Sequence, residues 1–149
     1  MNSIFLIQSL MSRADRLLSE LQMEYDKCLH QQEVSADALN LTHEIIEKCA
    51  NALDQLMHLS WEIRIAPKLT EPPKRGGYFP AARDEQSYRS TLGQWKATDL
   101  DNLDPTFAEI LRHFQPMTSA ENSWLADLRD LSSKKHTGLI PQKKFEERH

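Results

Sequence analysis

From residue 4 to residue 29, apolar side chains return at intervals of three and four: Ile7, Leu10, Met11, Ala14, Leu17, Leu18, Leu21, Tyr25, Cys28 and Leu29. That is the period at which one face of an α-helix comes round again, and a run of this length excludes a strand. The polar stretch HQQEVS at 30–35 interrupts the pattern. Ser35 or Asp37 then offers an oxygen to cap a second helix, whose apolar face includes Leu41, Ile45, Cys49, Ala52, Leu53, Leu56 and Met57. That helix must stop before Pro67, which has no amide hydrogen and blocks the turn before it. Two long amphipathic helices on a short link predict an antiparallel hairpin, the scaffold of a helical bundle.

The rest of the chain reads as shorter helices. PKLTEPPKRGGYFP, residues 67–80, holds four prolines and two of the four glycines and is a loop. A third helix is expected from Asp84 to about Lys96, carrying Tyr88, Leu92 and Trp95, with Gly93 a weak point. Asp104 followed by Pro105 is a cap and first helical residue, opening a short helix through Phe107, Ile110, Leu111 and Phe114 that Pro116 closes. Thr118 and Glu121 have capping-box spacing, so a last helix is expected to turn Trp124, Leu125, Leu128 and Leu131 inward and to end at Gly138. The aromatic residues Trp61, Trp95, Trp124, Phe107 and Phe114 read as packing. A chain of 149 residues, rich in Leu, Ala, Glu, Gln and Lys, has room for one domain. The expectation is an all-α, up-and-down bundle of four to five helices over 1–140, with 141–149 a polar tail.

Charge narrows the classes of function. The net charge of −4 speaks against non-specific coating of nucleic acid, which needs many clustered cations. From Arg129 onward six Lys or Arg stand against three Asp or Glu, locally +3, which leaves −7 for the remainder. Two cysteines are too few for a disulfide framework and suggest free thiols in the cytoplasm. The opening IFLIQSLM is shorter than a membrane span and lacks the flanks of a signal peptide, so no membrane association is expected.

The chemistry-bearing candidates lie in WLADLRDLSSKKHTGL, residues 124–139. Arg129 and His136 are seven residues apart, about 700° and roughly 10 Å along a helix, so both leave one face. An imidazole can carry a proton near neutrality while a guanidinium grips phosphate through a permanent bidentate fork, a division of labour suited to phosphodiester cleavage. Nine Arg and six His make such a spacing expected about once by composition alone, and cations at a helix C-terminus also cap free carbonyls and complement its dipole. Asn40, Glu44, Glu47, Asn51, Asp54 and His58 form a polar stripe on the second helix, most simply a solvated face. Glu146 and His149 in the tail are the one Glu-x-x-His pair, so the paired motifs of a di-iron bundle are missing; Cys28, His30 and Cys49 lack a second paired motif, and phosphate-loop, dinucleotide and nucleophile-elbow patterns are missing. No metal and no cofactor is expected.

Four stretches in order, ANALDQL at 50–56, YFP at 78–80, ILRHFQP at 110–116 and the final WLADLRDLSSKKHTGL, resemble a bacterial group of small helical proteins and, more broadly, the HEPN superfamily. The superfamily's ribonucleases carry an Arg followed after four to six residues by a His, often with a polar residue directly after the Arg. Arg129, Asp130 and His136 match that pattern. The resemblance implies a homodimer pairing its final helices around a composite, metal-independent endoribonuclease site of the toxin or defence kind. In it His136 would serve as general base and acid, Arg129 would hold the phosphate, Asp130 would orient them, and Lys134 and Lys135 would add RNA contacts. Other HEPN-like domains are non-catalytic dimerisation or sensing modules, which leaves a partner-binding, antitoxin-like role as the alternative.

Overall fold

A computed structural model of the chain describes residues 3–73 and 77–133. Among these residues the protein is all-α, with six α-helices and no strand: α1 (Ser3–Gln31), α2 (Ala36–Ser60), α3 (Glu85–Gln94), α4 (Leu100–Leu103), α5 (Pro105–His113) and α6 (Ser123–Ser133). Four to five helices were expected; the one-turn α4, too short to leave a periodic signature, makes the difference. The expected helix end at Gly138 and the polar tail at 141–149 lie outside the described residues.

The hairpin forms as its local chemistry dictates. Gln32 adopts a left-handed φ of 56°, and the Glu33 amide donates back to the Cys28 carbonyl at 3.3 Å, closing α1. Ser35 is the N-cap of α2, its hydroxyl accepting from the Ala38 amide at 3.0 Å. The same hydroxyl donates to Glu24 of α1 at 3.0 Å, stitching the two helices together beside the turn.

Beyond α1, the spine of α2 runs on into a wide π-helical segment, Trp61–Ile65, and a 3-10 turn, Ala66–Lys68, which places Pro67 where a missing amide does little harm. Met57, Trp61 and Ile65, four residues apart, floor a core completed by Tyr88, Leu92 and Trp95, Leu100 of α4, and Ala108 and Leu111 of α5. The floor is fastened on its outer side: Arg64 donates two bonds, at 2.7 and 2.9 Å, to Asp104, whose carboxylate also accepts from the Phe107 amide at 3.1 Å and so caps α5. Gly77 lies on the Trp95 indole so closely that a Cβ would overlap the ring, which explains a glycine at the end of the Pro-rich loop.

Three expectations need correction. Trp124 is 51% exposed and Phe114 is also exposed, whereas α6 buries Leu125, as expected, together with Ala126. The last helix is reached through a 3-10 turn, Ala120–Asn122, capped by Ser119 rather than Thr118. Thr118 instead donates its hydroxyl to the Arg112 carbonyl at 2.5 Å. Finally α3 ends at Gln94, short of Lys96, because Lys96 takes a left-handed φ of 58° while the Ala97 amide returns to the Leu92 carbonyl at 2.9 Å.

Candidate functional site

The four stretches that carry the family resemblance meet at one junction. Asp54, in ANALDQL on α2, accepts the Phe79 amide of YFP at 3.0 Å. Arg129 of α6 closes on the same carboxylate, with Nη1 donating to Oδ2 at 3.0 Å and Nη2 donating to Oδ1. The Tyr78 ring lies 5.8 Å from the guanidinium carbon. Gln115, at the end of ILRHFQP, is fully buried and completes the frame: its Oε1 accepts the Ala82 amide at 2.9 Å, and its Nε2 donates to the carbonyls of Pro80 at 2.9 Å and Leu111 at 3.3 Å. Buried polar groups need such partners, so one side chain and one carboxylate fix the path of 78–82 over the bundle.

The sequence-expected residues divide accordingly. Arg129 is half-buried and its fork is occupied by Asp54 of the same chain. Asp130 points away from it and meets Arg83 Nη2 at 3.1 Å on an exposed surface. The described residues therefore do not bring Asp130 and Arg129 onto one ligand. Lys134, Lys135 and His136 lie outside the described residues.

Around the pair, Asn51, Asp54, Tyr78, Arg129, Ser132 and Ser133 line an open cleft of about 550 Å3, with Glu47 and Lys48 at its edge. His58 pairs with Glu62 at 2.9 Å and stacks on Trp61. The polar stripe of α2, expected as a solvated face, thus supplies the anchor of the site through Asp54. Sequence reading missed the roles of Asp54 and Gln115. Asp54 sits in a helical stripe with nothing local to mark a long-range partner, whereas Gln115 followed by Pro116 had at least the signal of a polar residue at a helix end.

Another ionic group is structural. Arg112 bridges Glu85 at 2.8 Å and Asp101 at 3.0 Å and lies 4.5 Å over the Tyr88 ring. Its hydrogen bonds hold Glu85 below the usual carboxylate range, while burial pushes the Tyr88 hydroxyl up to about 12. Among the described residues no three His, Cys, Asp or Glu side chains gather to hold a metal ion, and no helix is long and apolar enough to cross a membrane. Comparison with protein families, with characterised proteins and with solved structures finds no match for this chain.

Proposed function

We propose that this chain is a HEPN-like helical interaction module, which binds a protein partner in the cytoplasm and uses Arg129 as a clamp rather than as a catalyst. The observation that supports it is the closure of the Arg129 fork on Asp54. A phosphate would have to compete with a carboxylate already held by two charge-assisted bonds, and Asp130, the expected orienting group, is engaged by Arg83. The test is incubation of the purified, folded chain with structured and unstructured RNA in EDTA. No cleavage is expected; cleavage that disappears in His136→Ala overturns the reading.

The second reading is the metal-independent endoribonuclease, with two final helices pairing in a homodimer and releasing a 2′,3′-cyclic phosphate. It draws on the cleft beside Arg129, where Ser132 and Ser133 stand at the rim and the sequence runs directly on into Lys134, Lys135 and His136. In that reading the outer N–H groups of Arg129 contact phosphate while Asp54 fixes the guanidinium plane. The same assay decides between the two.

A further inference from the structure

We propose that one face of the α1/α2 hairpin docks a second copy of this chain, the two hairpins pairing about a two-fold axis as an antiparallel four-helix bundle. The buried seam of α1 includes Ala14 and Leu17, which meet α2. Beside that seam runs a second apolar row, Ile4, Met11, Leu18 and Tyr25, each seven residues from the next and each 48–54% exposed. A seven-residue spacing is the repeat that keeps a helix in contact with a supercoiled neighbour, and α2 covers the inner seam but not this outer row.

Leu18, Tyr25 and Leu29 of α1, with Val34, Leu39 and Thr42 across the turn, form a groove whose lining holds one charged residue, Glu33. The groove on the opposite side of the hairpin holds five charged residues, Glu20, Glu24, Lys27, Asp37 and Glu44, beside Met23, Asn40 and Leu41. This partition identifies the occupant. A two-fold axis sets each face against its own copy, so the acidic face would oppose carboxylates to carboxylates, while the apolar face meets itself without repulsion. The extent fits as well. Ile4 to Leu29 spans about 38 Å at 1.5 Å per residue, and two helices about 10 Å wide give about 750 Å2 per protomer, near the ~800 Å2 of a stable interface.

The pairing supplies the partner left open by the interaction-module reading and rests on it. The two fail separately: RNA cleavage sinks that reading, whereas a monomer sinks the pairing. Sedimentation velocity of the full chain is expected to show a dimer at micromolar concentration. Leu18→Glu, at an exposed position, should weaken it by at least about thirtyfold with an unchanged helical circular dichroism spectrum, and Glu20→Lys on the charged face should leave it intact. If Leu18→Glu loses helicity, Tyr25→Lys serves in its place with the same expectation. A monomeric wild type, a dimer that survives these substitutions on the apolar row, or equal dissociation by Glu20→Lys overturns the proposal. A monomer whose groove is nevertheless shielded from solvent assigns it to residues 134–149 or to another protein, and overturns it too.

Discussion

Asp54 and Arg129 stand 75 residues apart in the sequence and are joined through both terminal guanidinium nitrogens and both carboxylate oxygens, with the Phe79 amide bound to the same carboxylate. This contact ties α2, α6 and the end of the Pro-rich loop at a single point. The pair is about one-fifth exposed at each side chain, between the regimes of a surface ion pair and a fully buried one.

Asp54→Ala leaves a half-buried guanidinium and the Phe79 amide without their acceptor. We expect a loss of about 2–3 kcal/mol in chemical denaturation. Combined with Arg129→Met, the loss should be smaller than the sum of the two single losses, since the second substitution removes the stranded charge. Strict additivity would mean that the contact contributes no coupling. Asp130→Ala, which breaks an exposed pair with Arg83, should cost less than about 1 kcal/mol.

Stability should fall at both ends of the pH scale for separate reasons. The hydrogen bonds from Arg64 and then from the Phe107 amide hold the Asp104 carboxyl well below the usual carboxylate range, so its contribution is present above about pH 4 and is lost as pH falls below that. The destabilisation of Asp104→Asn relative to wild type should be constant from neutrality to about pH 5 and shrink in more acid solution. At the other end, burial raises the Tyr88 hydroxyl from 10.0 to about 12. Its contribution is complete below its ordinary value and is lost as pH rises through about 12, a limb that Tyr88→Phe removes. Thermal unfolding across pH reads both.

Lys96→Gly should stabilise the protein. Lys96 holds a left-handed φ of 58° at the end of α3, a conformation that costs an L side chain about 1 kcal/mol and glycine little. Its side chain is exposed, so little packing is lost in exchange. A rise in the denaturation midpoint, with unchanged cooperativity, checks this; a fall would show that the lysine side chain makes a compensating contact.

The helix starts were legible in the sequence because caps are local: Ser35, Asp84 and Asp104 each accept the amide three residues ahead. The hairpin was legible because its periodicity persists over more than twenty residues. The inner face of α6 was legible only in part. Leu125 was read correctly as core, but Trp124 looked like core by hydropathy and is exposed, while Ala126 is buried and Arg129 reaches a carboxylate 75 residues away. The left-handed Lys96 carries no compositional signal, since glycine or asparagine is the usual residue there. For the candidate site, the sequence marked the four stretches that converge but not the long-range anchor of Arg129, which is Asp54, nor the pairing of Asp130 with Arg83.

α2 packs against α1, and its far end with the π-helical turn floors the core to which Tyr88, Leu92, Leu100, Ala108 and Leu111 contribute. We therefore expect the molecule to open in two steps of unequal cost. α1 can peel away while the floor at Met57, Trp61 and Ile65 stays covered, but those residues cannot be uncovered without dismantling everything that rests on them. Amide exchange with deuterated water is accordingly slowest in the shared spine and fastest in the outer turns of the first helix, where a second hairpin would lend its protection.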